Sequence, residues 1–73
     1  MHIALYEARA AAARGEIPVG AVVVNATGQV VAQAGNRTRE LNDPSAHAEM
    51  LAIRAACQQL GQERLANHDL YVT

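Results

Sequence analysis

His47 and Glu49 stand two residues apart in the stretch Asp43-Pro44-Ser45-Ala46-His47-Ala48-Glu49. An imidazole can hold a zinc ion. A neighbouring carboxylate that is not itself a ligand can move protons for a water that the metal acidifies. The pair therefore points to metal-assisted hydrolysis. It also has a plainer reading, because a histidine near a helix start is often a surface or capping residue and a glutamate in a first turn complements the helix dipole. The single cysteine, Cys57, is the other candidate ligand by residue type. Ten residues of helix beyond His47 place it about 15 Å along the axis, whereas zinc–ligand bonds span about 2 Å. Cys57 is therefore expected to be a small core residue. His2 and His68 are expected to be exposed.

The element that must position the pair is a helix predicted over Ala46–Leu60. Asp43-Pro44 marks a turn, since proline drives the residue before it out of the helical region. Ser45 suits an N-cap. Met50, Ile53, Cys57 and Leu60 recur at helical spacing, and Gly61 stands where a left-handed C-terminal cap is needed. Residues two apart do not share a helix face. In the first turn, however, both side chains can lean toward a point beyond the helix end. The partial positive charge there favours anionic groups bound to a metal over the bare cation.

Ahead of this helix, Met1–Arg14 reads as an amphipathic helix with Ile3, Tyr6, Ala10 and Ala13 on one stripe and Gly15 as its stop. The run Val19-Gly20-Ala21-Val22-Val23-Val24 suits a central strand buried on both faces. Asn25-Ala26-Thr27-Gly28 is a turn, and Gln29–Ala34 completes a hairpin. Thr38–Asp43 and Gln62–Asp69 are polar connections. Leu70-Tyr71-Val72-Thr73 is a strand, expected to run parallel to one hairpin strand through the helical crossover and to leave an exposed sheet edge. A chain ending on such a strand is expected to be part of a larger domain.

The 73 residues make one small domain at most. The apolar half of the composition is mostly alanine and valine, with no Phe or Trp, so the core is expected to be thin. One cysteine rules out an internal disulfide framework and suits a reducing compartment. A net charge of −1 with no basic run shows no affinity for a phosphate backbone in this segment. Arg37 and Arg39 could contact nucleic acid, but a pair of arginines in a polar loop is more often solvated. No apolar run is long enough to span a membrane. Glu7 and the immediate patterned structure argue against reading the Ala-rich N-terminus as a transit peptide.

Four blocks carry a family resemblance: Ile17-Pro18-Val19-Gly20-Ala21-Val22, Gly35-Asn36-Arg37-Thr38, Asn42-Asp43-Pro44-Ser45-Ala46-His47-Ala48-Glu49 and Leu70-Tyr71-Val72-Thr73. In this order and spacing they resemble the N-terminal half of the bacterial tRNA-specific adenosine deaminases of the cytidine-deaminase-like superfamily. In that family the last block runs into Glu-Pro-Cys-x-x-Cys, and no Pro-Cys-x-x-Cys occurs in these residues. The resemblance implies that residues 1–73 are the N-terminal portion of a three-layer α/β/α domain, in the order helix, β-hairpin, helix, strand, without the second half of the metal site. It implies one Zn2+ per subunit, with His47 as a ligand, two cysteines from outside this stretch, and water in the open position. Glu49 would shuttle protons while the water attacks C6 of adenine. Asn36 would contact the base, its amide offering a donor and an acceptor to a purine edge; it also suits a turn after Gly35. Ile17 would form an apolar wall of the base pocket, or simply pack at a strand edge. Ala48 would let its backbone approach the base, or serve as a good helix former.

The implied reaction is hydrolytic conversion of adenosine to inosine at the tRNA wobble position. The implied setting is a cytoplasmic homodimer acting on the anticodon stem-loop. Two alternatives stand beside it. One is a deaminase of a free base or nucleoside such as guanine, whose family also carries Asn-Asp-Pro-x-Ala-His-Ala-Glu. The other is a non-catalytic fragment, or half of a split protein.

Overall fold

Strand β1 (Gly20–Val24) lies at the centre of a three-stranded sheet in a computed structural model that describes residues 2–73. β2 (Val30–Gly35) and β3 (Asp69–Val72) flank it, each antiparallel to it. The valine-rich run takes the centre because only that strand is covered on both faces. Ala21, Val22 and Val23 are all buried. The hairpin turn is held by the Asn25 side-chain oxygen, which accepts from the Thr27 and Gln29 N–H groups at 3.1 and 2.9 Å.

β2 and β3 therefore run in the same direction with β1 between them. The expected parallel relation of the last strand holds for direction with β2, but the two strands are not neighbours. Helix α2 (Ala48–Leu60) carries the chain from one to the other, which makes a split β-α-β unit. β3 occupies a sheet edge and all four of its residues are exposed. Thr73 adds one more link, exchanging bonds with Gly20 through its N–H and its hydroxyl at 3.0 Å each.

The pleat sorts β1 side chains onto two faces. Ala21 and Val23 face α2 and form a core with Ala32, Ala48, Ala52 and Ala56. Gly20 faces the other way, toward helix α1 (His2–Ala13). The result is three layers, helix on sheet on helix, as expected. Met1, the first residue of the predicted N-terminal helix, lies outside the described residues. Gly15 ends that helix as expected, at φ +84°.

The apolar stripes predicted for the helices are not their buried faces. In α1 the buried residues are Ala4, Ala8 and Ala11, while Tyr6 is 65% exposed, Ala13 is exposed, and Ile3 and Ala10 are half-buried. In α2 they are Ala48, Ala52 and Ala56, while Met50 and Leu60 are exposed and Ile53 and Cys57 half-buried. The reason is steric, because a helix lying close on a sheet needs small side chains at the contact and its larger ones are displaced to the flanks. A Cβ at Gly20 would press on the Ala4 carbonyl oxygen and lie 2.6 Å from the Ala8 nitrogen. One at Gly35 would lie 2.7 Å from the Glu7 carbonyl oxygen. The core is accordingly thin, with Val22 and Val23 its largest fully buried side chains. Among the described residues no helix is long and apolar enough to cross a membrane.

Candidate metal and base-binding site

α2 starts later than predicted, and Ser45 is not its cap. The Asp43 carboxylate accepts both the Ser45 N–H (2.9 Å) and the Ser45 hydroxyl (2.7 Å), closing an Asx turn. These bonds, the Ser45 hydroxyl foremost, hold the Asp43 carboxyl below its ordinary titration range, with a smaller contribution from the Arg54 charge. The Ser45 hydroxyl oxygen accepts from Arg54 Nη2 at 3.5 Å rather than from a helix N–H, and the helix begins two residues further on. The N-cap is His47, with an extended backbone (φ −77°, ψ 151°) and no side-chain capping bond. Its carbonyl accepts the first helical bond from Leu51 at 2.9 Å. At the other end Gly61, at φ +64°, caps the helix as predicted.

This placement removes the objection to His47 and Glu49 acting together. His47 lies outside the helix, so the pair does not have helical two-residue geometry. His47 is exposed and its ring is not used by the fold. Glu49, in the first turn, is half-buried, and its enclosed Oε1 has no hydrogen-bond partner among the described residues. An enclosed carboxylate oxygen without a partner costs about 1–3 kcal/mol. Native structures keep such a group where another component will meet it.

Two backbone bonds draw the other candidates to the same end of the sheet. The Asn36 N–H donates to the Val19 carbonyl (3.1 Å), and the Arg37 N–H donates to the Ala46 carbonyl (3.0 Å). The exit of β2, the entry of β1 and the residue before His47 are thereby tied together. Asn36 is only 3% exposed. Its Nδ2 donates to Thr38 Oγ1 at 3.4 Å, and its carbonyl accepts from Arg14 at 3.3 Å. Ile17, whose carbonyl accepts from the Val19 N–H at 2.8 Å, is 61% exposed beside this end. Ala48 is fully buried where α2 meets the sheet.

All 73 residues match the family of the cytidine and deoxycytidylate deaminase zinc-binding region. The chain belongs to this deaminase family. It is 62% identical to the tRNA-specific adenosine deaminase of Agrobacterium fabrum, covering all of this chain and 47% of that protein. A solved structure from studies of A-to-I editing by tRNA deaminases at the wobble position of transfer RNA superposes with a TM-score of 0.96. There the identity is 62%, over 100% of this chain and 55% of that one. The guanine deaminase of Bacillus subtilis superposes with a TM-score of 0.89 at 40% identity, over 94% of this chain and 44% of that one. The chain spans about half the length of the relatives it matches.

Within this chain the remaining candidates fall elsewhere. Cys57 lines an open cleft of about 270 Å³ with Val23, Ile53, Leu65, His68 and Leu70, and none of the residues at the α2 start reaches it. His2 is exposed as expected. His68 is half-buried, with Nδ1 2.7 Å from the Ala66 carbonyl. Arg37 pairs with Glu40 within the loop at 3.1 Å, and Arg39 donates across to the Gly15 carbonyl, past the end of α1, at 3.0 Å.

One residue of this chain was not found by sequence reasoning. Glu16 is 6% exposed, and its two carboxylate oxygens accept the Arg39 N–H (3.0 Å) and the Glu40 N–H (2.7 Å). The signal for it is electrostatic. An acidic residue just past a helix C-terminus opposes the dipole, so Glu16 must have a compensating use.

Proposed function

We propose that this chain is the N-terminal part of a zinc-dependent hydrolase that converts adenosine to inosine at the wobble position of a tRNA anticodon. The observation that carries the reading is the enclosed, partnerless Oε1 of Glu49 in the turn that follows an unengaged His47. The similarity to tRNA-specific adenosine deaminases supports the choice of substrate.

The residues present fit one corner of a zinc site. His47 would hold the ion through one ring nitrogen. Among the described residues no three His, Cys, Asp or Glu side chains converge to complete the set, so the remaining donors would come from outside this stretch. When bound, zinc supplies a Lewis acid that brings the pKa of water near neutrality.

Glu49 would take the proton of the attacking water on Oε1 and return it to the purine ring and then to the leaving amine. Water and adenosine thus give inosine and ammonia in balance. Asn36 would hold the purine edge through its side-chain amide. Ile17 would cover one side of the base with an apolar surface, and Ala48, lacking a long side chain, would let the helix backbone approach it. We place residues 1–73 in a single partial deaminase domain, working as a cytoplasmic homodimer on the anticodon stem-loop.

Incubating the zinc-loaded protein with tRNA and sequencing the product for inosine tests the reading. Glu49→Gln should keep zinc and lose turnover by about 10²–10⁴-fold. Full activity in that variant overturns the role of Glu49. The fold shared with the guanine deaminase supports a second reading, deamination of a free purine. Ammonia released from guanine, with tRNA left unchanged, would establish it in place of the first.

A further inference from the structure

We infer that Glu16 is a positioning residue for Asn36: it clamps the turn after β2 and thereby fixes the side-chain amide that faces the base. This rests on the base-contacting role proposed for Asn36.

The turn itself shows why a remote carboxylate is needed. Leu41 N–H donates to the Arg37 carbonyl at 3.0 Å and Asp43 N–H to the Thr38 carbonyl at 3.0 Å, so Arg37–Asn42 winds as one helical turn. The first N–H groups of such a turn have no acceptor within it. A threonine hydroxyl at its start is the usual local acceptor for the N–H two or three residues on. The carbonyl of Arg37 accepts the first bond of the turn, so Arg37 stands at that position, and its side chain has no acceptor to offer. Glu16 reaches in from the connection between α1 and β1 and accepts the Arg39 and Glu40 N–H groups at 3.0 and 2.7 Å. With the turn held in this way, the Thr38 hydroxyl oxygen is kept where it accepts from Asn36 Nδ2 at 3.4 Å. The Glu16 carboxylate, the Arg39–Glu40 amides, Thr38 and the Asn36 amide form one relay. Burying a carboxylate at 6% exposure is costly unless charge-assisted bonds replace its hydration, and here both oxygens have them.

Glu16→Gln keeps the size of the side chain, but it offers one acceptor oxygen and turns an NH2 donor against the second backbone N–H. The turn then loosens and the Thr38 hydroxyl loses its fixed place beside Asn36. In the zinc-loaded, 15N-labelled protein without substrate, the expected result is hydrogen exchange at least about tenfold faster at the Arg39 and Glu40 amides and at the Asn36 side-chain amide, with β1 amides unchanged. With tRNA, KM should rise about tenfold while kcat stays within about threefold and the zinc content equals that of the unsubstituted protein. Thr38→Val cuts the relay without touching Glu16, should reproduce the Asn36 and KM effects, and serves if the Glu16 variant does not fold.

An unmoved Asn36 signal in either folded variant overturns the inference. So does a loss of kcat and zinc in step with KM, which marks a general loss of structure. If the unsubstituted protein leaves tRNA unchanged, the proposed function fails instead, and the substrate-free Asn36 signal still decides the clamp.

Discussion

Gly20 and Gly35 face each other across the β1–β2 ladder, and both turn their missing side chains toward α1. The helix backbone occupies the space two methyl groups would need. This contact sets how far α1 sits from the sheet, and so where the Gly15–Glu16 connection emerges beneath the loop that leads to His47. Gly20→Ala should destabilise the protein by about 1–3 kcal/mol through overpacking. Gly61→Ala meets no atom within 4 Å and should lose only the left-handed backbone preference, about 1 kcal/mol. Urea denaturation of the two variants checks the order, and equal losses would contradict the close approach of α1.

His47 occupies the N-cap of α2 without capping it. Aspartate is among the best residues there, and it also complements the dipole. His47→Asp should therefore raise the stability of the metal-free protein by about 0.5–1.5 kcal/mol while abolishing zinc retention. Thermal unfolding of metal-free samples and metal analysis after zinc loading measure the two effects. A destabilised metal-free variant would show that the imidazole supports the fold after all.

Glu49 should show the same opposition between stability and chemistry. Its enclosed Oε1 lacks a partner, and methionine has a similar volume and good helix propensity. Glu49→Met should stabilise the metal-free protein by about 1 kcal/mol and eliminate turnover. Loss of stability in that variant would mean that the carboxylate is already satisfied in the folded protein.

The Asx turn ahead of α2 gives a pH dependence with a definite sign. The Asp43 carboxyl is held below its ordinary range by its bonds from Ser45, so it binds its proton less readily in the folded state than in the unfolded one. The contribution of the turn is complete above the unfolded value of about 3.9. It is lost as pH falls through the lower folded value. Asp43→Asn retains an oxygen that can accept both Ser45 donors but does not titrate. The stability difference between the unsubstituted protein and this variant should stay flat near neutrality and move against the aspartate only in acid. A carboxyl titration of Asp43 by NMR at the ordinary value would contradict this.

Local and periodic features were legible without the structure. The valine run at the centre, the Asn25–Gly28 turn, the Gly61 cap and the His47-Ala48-Glu49 segment each depend on one residue's backbone preference or on a few neighbours. The sequence therefore determined the element order and the fold class, and the residues that carry the proposed chemistry stand within one short block. What it could not decide is which side of each helix meets the sheet. Met50, Ile53, Cys57 and Leu60 have the stronger apolar pattern, yet Ala48, Ala52 and Ala56 are the buried ones. For α1 the distance from the sheet is set by Gly20 and Gly35, which lie outside that helix in the chain. The N-cap moved to His47 beside a local Asx turn between Asp43 and Ser45, which residue preferences also describe, whereas the tertiary structure alone brought Glu16 under the loop 24 residues ahead of it at Glu40. That outcome depends on which donors and acceptors meet when distant segments pack, and single-residue preferences carry no information about such meetings.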